Sequence, residues 1–315
     1  MNVGAVGYAV GAALFIALGS AMQHQAVAGA DVRSGGIGLV LRLTRSRRWM
    51  AGLAAAGVGT LLHAMALRDG ALAVVEPVLV LNLALALPAR ALLDRARPST
   101  AHIAAAVVLG VGVTIFVITA RPSAGQPAPD GSDAAVLILA GVALAGLCML
   151  VAARTRSERV AGVALGLAAG ALYGVGGGAL KGAVHTVLHN PVATLTGWPL
   201  WTLCALTAWA FVLHQQAYAR APLRVSLPVL SVANPIAGMA FGAVAFSEIP
   251  AHSPGAAAAE VLGLAIIVGS VLVLAKPEPH QARHRRQPAP RAGTDPCAPE
   301  PRASQSPTES APYGR

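Results

Sequence analysis

The chain has 315 residues, of which 55% are hydrophobic and only 11% are charged, with a formal net charge of +10. A soluble domain carries about a quarter charged residues, so water-soluble classes are excluded, nucleic-acid binders among them. Cys148 and Cys204 lie in hydrophobic stretches and Cys297 in a polar tail, which offers neither a disulfide framework nor a zinc spacing.

Apolar stretches near 20 residues long follow one another, each sufficient to cross roughly 30 Å of hydrocarbon as a helix. About nine spans are predicted, at 3–28, 49–67, 71–89, 101–120, 134–153, 160–184, 198–219, 225–246 and 256–275. The first stretch ends in small residues (Ala26-Val27-Ala28-Gly29-Ala30) like a signal cleavage site. No Lys or Arg precedes it, so it reads as a retained helix. Helices are required because lipid offers no partner to an unpaired backbone N–H or C=O.

Basic residues sort the loops. Segment 29–48 holds Arg33, Arg42, Arg45, Arg47 and Arg48, and the loop after the third span holds Arg90, Arg95 and Arg97. Arg154, Arg156 and Arg159 follow the fifth span, Arg220 and Arg224 the seventh, and the tail carries Lys276 and further arginines. The alternate loops hold only Arg68 and Arg121. This asymmetry predicts an N-terminus outside and a C-terminus in the cytoplasm.

The chain repeats itself. Ala13-Leu14-Phe15 with Gly19-Ser20-Ala21-Met22-Gln23 recurs as Ala171-Leu172-Tyr173 with Gly177-Gly178-Ala179-Leu180-Lys181. His63-Ala64-Met65-Ala66 and Pro77-Val78-Leu79 recur as His214-Gln215-Gln216-Ala217 and Pro228-Val229-Leu230. One span separates the copies, so the second is upside down relative to the first, a symmetry common in secondary transporters. The predicted fold is an all-α polytopic membrane protein with two inverted four-helix repeats plus a connector helix. Residues 1–120 form the first repeat, 121–158 an external loop and the connector, and 159–276 the second repeat. Residues 277–315, Pro- and Arg-rich with few apolar residues, are expected to be a disordered cytoplasmic tail.

Polar groups within the spans are the candidate pathway residues, since each costs free energy unless paired or wet. Glu76 precedes Pro77, which removes one helical hydrogen bond and frees the carbonyl of Ala73. It reads as a proton or cation site, or as an interfacial acid paired with Arg68. Gln23 and His24 near the end of the first span, and Lys181 in the position equivalent to Gln23, read as substrate ligands or as interfacial groups. A Lys stem can snorkel to the headgroups. His63 and His214 are equivalent positions expected near opposite membrane faces, as interfacial or helix-bonding histidines. Asn82 and Asn234 lie deep in related helices and read as gate elements or inter-helix hydrogen-bonding groups. Pro77, Pro228 and Pro235 are the expected helix breaks. Gly162, Gly166, Gly170, Gly174, Gly178 and Gly182 recur every fourth residue, a ridge that lets another backbone approach closely.

No nucleophile–base motif, phosphate-cradling loop or metal-binding spacing is present, so no enzyme activity, cofactor or resident metal is expected. Only if the cargo is a cation does Glu76 become a metal ligand. The expected partners are the lipid bilayer and a small-molecule or cation substrate; a homodimer is compatible with the sequence.

Three stretches carry a family resemblance: Ala243-Val244-Ala245-Phe246-Ser247-Glu248, Gly263-Leu264-Ala265-Ile266-Ile267-Val268-Gly269 and Leu67-Arg68-Asp69-Gly70-Ala71-Leu72-Ala73-Val74-Val75-Glu76-Pro77-Val78. They resemble the EamA-type repeats of the drug/metabolite transporter superfamily. The nine spans, with Ile118-Thr119-Ala120-Arg121-Pro122 closing the first copy, are similar to its NIPA-type magnesium-transporter branch. The resemblance covers about residues 4–276. It implies a secondary transporter moving a small solute across the cytoplasmic membrane by alternating access, ion-coupled, or a magnesium pathway. A non-transporting membrane scaffold is the reading from another class.

Overall fold

The computed structural model describes residues 3–28, 37–94, 99–120, 125–248 and 253–274. The tail 277–315 lies outside these, as do Arg33, Arg95, Arg97 and Arg121. The described chain runs α1 (Val3–Ala28), α2 (Ile37–Leu43), α3 (Arg47–Asp69), α4 (Leu72–Leu79), α5 (Leu81–Asp94) and α6 (Thr100–Thr119). It continues through α7 (Gly131–Arg154), α8 (Glu158–His189), α9 (Pro191–Thr196), α10 (Trp198–Arg220), α11 (Leu223–Ala245) and α12 (Pro254–Leu274). Among the described residues there is no strand. Seven helices, α1, α3, α6, α7, α8, α11 and α12, are long and apolar enough to cross a membrane. The chain is an all-α multi-pass membrane protein.

The expected single helix over 71–89 is instead two, α4 and α5, meeting at Val80. Pro77 has no N–H to give the Ala73 carbonyl, and the chain tightens beyond it. The N–H of Val80 bonds the Pro77 carbonyl at 3.2 Å and that of Leu83 bonds the Val80 carbonyl at 3.0 Å, both three-residue turns. Pro228 and Pro235 behave differently from the expected breaks, because α11 passes through both without interruption. Packing supplies the reason: α11 is held against α8 along most of its length. The short helices α2 and α9 were not foreseen from hydropathy, being only 7 and 6 residues long.

Side-chain caps start several of the long helices, each satisfying an N–H with no intrahelical partner. Ser46 accepts from Trp49, Ser99 from His102 and Ser157 from Val160. Asp130 accepts from the N–H groups of Ser132 and Asp133 at the start of α7. The Ser132 hydroxyl, then these N–H groups, hold the Asp130 carboxyl below its ordinary value.

Helix pairing is built on small residues, as lipid leaves close packing to supply the attraction. A Cβ placed on Gly19 of α1 would lie 2.7 Å from the Gly52 carbonyl of α3. On Gly263 of α12 it would lie 3.1 Å from the Gly112 carbonyl of α6. The fourfold-spaced glycines of α8 form a seam for α11: Gly166 faces Ser226, Gly170 faces Leu230, Gly174 faces Asn234 and Gly178 faces Phe241. The ridge therefore serves packing along five glycines, beginning with Gly162 against Ala221. With α7 and α10 also along its sides, α8 is the central post of the bundle.

Candidate functional site

A cavity of about 160 Å³ lies between α1, α3, the α4–α5 break, α8, α10 and α11. Its wall is mostly apolar and includes Leu227. The polar groups that line it include Gln23, His63, Asn82, Tyr173, His214 and Asn234. No lysine or arginine does so among the described residues. His63 and His214 both line this cavity. His214 contacts the Tyr173 ring edge-on at a centroid distance of 5.9 Å.

Glu76 sits behind this wall with no exposed surface. Its Oε1 lies 3.3 Å from Nε2 of His63, and Nδ2 of Asn234 donates to Oε2 at 3.4 Å. The His63 approach is an ion-pair distance without an aligned hydrogen bond. Two glycines make room for the carboxylate. A Cβ on Gly177 would fall 2.5 Å from Oε1, and one on Gly238 2.6 Å from Cγ. Arg68, the interfacial partner considered from sequence, instead lies 3.6 Å from Asp69, with both side chains partly exposed. Glu76 is a core acid reached through His63 and Asn234, both of which face the cavity.

Asn82, just past the helix break, accepts from the Ser231 hydroxyl of α11 at 3.1 Å. This bond ties α5 to α11 beside the cavity. Gln23 is buried and accepts from Nε2 of Gln215 at 2.7 Å, while Nε1 of Trp49 donates to Oε1 of Gln215 at 3.4 Å. His24 packs edge-on against Tyr218 at 5.4 Å and is not among the lining residues.

Lys181 is placed away from the cavity. Its ammonium pairs with the fully buried Glu248, donates to the Gly70 carbonyl at 3.4 Å and stands 5.0 Å from the Phe246 ring centroid. Glu248 follows α11 through Ser247, whose φ of 54° turns the chain so that the Glu248 N–H reaches the Gly242 carbonyl at 3.0 Å. The second carboxylate oxygen accepts from the Ala73 N–H at 3.3 Å. Sequence reasoning did not single out Glu248, Gln215 or Trp49 as site residues. The available signal was an acid directly ending an apolar run at Phe246-Ser247-Glu248.

No protein-family profile matches the chain, and no solved structure does. The chain is similar to an uncharacterized protein of Corynebacterium glutamicum, 29% identical over 250 residues covering 78% of this chain and 86% of the relative.

Proposed function

We propose that this protein is a secondary transporter of the drug/metabolite transporter type. It moves a small solute by alternating access of two inverted four-helix copies, with an N-terminus outside and about nine spans. On this reading α4 with α5 forms one span and α10 another. The observation that carries it is a cavity between the helices of the bundle, backed by a fully buried carboxylate, Glu76, beside a helix break. A carboxylate at membrane depth is costly unless it is paired or used. Here its neighbours are an imidazole and an amide rather than a permanent cation. That arrangement suits a group that gains and loses a proton. His63, between Glu76 and the cavity, is placed to pass it.

A magnesium pathway fits less well. Magnesium takes oxygen ligands in near-octahedral order and dehydrates reluctantly, whereas Glu76 is the one carboxylate here and has no cavity-facing surface. The deciding experiment is a solute screen in proteoliposomes with and without a pH gradient, magnesium included. Gradient-dependent uptake that disappears in Glu76→Gln supports the proposal. Absence of flux and of solute-dependent thermal stabilisation across the panel would favour the scaffold reading.

A further inference from the structure

A buried polar cluster sits at each end of α3, and those ends are about 30 Å apart at 1.5 Å rise per residue. At its start, Trp49 bonds Gln215 of α10, which bonds Gln23 of α1. Just past its end, the Gly70 carbonyl accepts from Lys181 of α8, which pairs with Glu248 after α11. The cavity lies between the two, with Gln23 and Leu180 among its lining residues. Each cluster joins the first repeat to the second. Gln23 and Lys181, the equivalent residues of the two copies, anchor opposite ends.

The ionic cluster does more than tie helices. The residue before α4, Ala71, has no side chain able to cap it. The Glu248 carboxylate takes that place through the Ala73 N–H, where the helix dipole also favours a negative charge. Every residue of α4 is buried, the segment ends at the Val80 break, and Glu76 lies one turn beyond Ala73. Freeing Glu248 therefore frees one end of a short segment that is already interrupted at the other.

Resting on the transport reading above, we propose that Lys181–Glu248 closes one end of the cavity and positions Glu76 through α4, while Gln23–Gln215–Trp49 closes the opposite end. The two closures open in alternation. They differ in chemistry: one opens by hydrating two charges, the other by exchanging amide bonds with water. Lys181 and Glu248 are positioning residues that act on Glu76 through the cap.

The test is side-specific labelling of a cavity thiol. With Cys148, Cys204 and Cys297 replaced by serine, Thr207→Cys puts a thiol on the cavity wall. An impermeant maleimide is then added to either face of sealed vesicles. Lys181→Gln and Glu248→Gln should each raise labelling about tenfold or more from one face only, since an unpaired buried charge disfavours the closed state. Gln23→Ala combined with Gln215→Ala, which removes the amide bond and the side chains that fill this end, should raise it from the other face, and Lys181→Arg should keep the parent level. Where single neutralisations fail to fold, Lys181→Ala with Glu248→Ala leaves no charge unpaired but removes the Ala73 cap and both side chains that fill the closure, and should give the same one-sided rise. Parent-level labelling in that double variant, or a rise from the same face for both clusters, overturns the proposal. A parent protein that carries solute while its labelling ignores these changes loses this inference alone. One-sided responses without flux of any screened solute support the closures and remove the transport reading.

Discussion

Nε2 of His63 on α3 stands 3.3 Å from Oε1 of Glu76 on α4, and only the histidine reaches the cavity. The carboxylate is thus separated from the cavity by an imidazole and an amide. The Asn234 amide donates to the other oxygen at 3.4 Å.

Glu76→Gln should preserve the fold and abolish gradient-driven uptake. The amide keeps the shape and one acceptor, and unfolding free energy should stay within about 1 kcal/mol of the parent. Glu76→Ala removes the acceptor and leaves Asn234 without this partner, at a cost of about 1–3 kcal/mol. Thermal unfolding in detergent and flux in proteoliposomes read the two effects separately. Unchanged coupling in Glu76→Gln would retire the acid as the coupling group.

The amide cluster makes a second prediction. Gln215→Ala leaves buried Gln23 without its 2.7 Å donor, which should cost about 1–3 kcal/mol. Gln23→Leu with Gln215→Leu removes both partners and should recover part of that loss, as a double-mutant cycle would register. Strictly additive losses would mean the bond contributes nothing.

Glycine positions along the bundle should respond oppositely to alanine. A Cβ at Gly174 meets the Asn234 carbonyl oxygen and lies 2.7 Å from the Ala237 Cβ, so Gly174→Ala should cost about 1–3 kcal/mol through overpacking. At Gly146 a Cβ would meet nothing within 4 Å, and Gly146→Ala should stabilise by up to about 1 kcal/mol through helix propensity. Melting temperatures of the two variants test the α8–α11 seam directly.

At the start of α7, the cap is acid-sensitive. Hydrogen bonds from Ser132 and Asp133 keep the folded Asp130 carboxyl below its unfolded value. Its contribution is therefore present above about pH 4, the ordinary carboxylate range. It is lost as pH falls through the lowered folded value. Asp130→Asn keeps a capping oxygen without the titration, so the stability difference between parent and variant should shrink on acidification. A difference constant from pH 7 to pH 3 would show that the bond to charged Asp130 adds nothing.

Much of the fold was legible because burial in lipid leaves a one-dimensional trace. Apolar run length marked the long helices, and the glycine ridge of α8 announced close packing against another helix, though not that the partner is α11. The α4–α5 break was hinted at by Pro77, yet Pro228 and Pro235 are the same residue type and break nothing. Whether a proline interrupts a membrane helix depends on what holds the flanking turns, and that is a neighbour's property. Asn82 and Asn234 were marked by polarity at membrane depth. That His63 and His214 line one cavity was not legible, since hydropathy measures position along a helix and not which way the side chain turns.

By itself the sequence determined that the chain is helical and membrane-embedded, because those properties follow from local composition and spacing. Tertiary structure alone decided which polar residues meet. Lys181 and Glu248, or Gln23 and Gln215, lie far apart in sequence, and no local pattern links them. Each pair exists because an unpartnered polar group is expensive where water is absent. The partner that relieves that cost is chosen by the packing of whole helices.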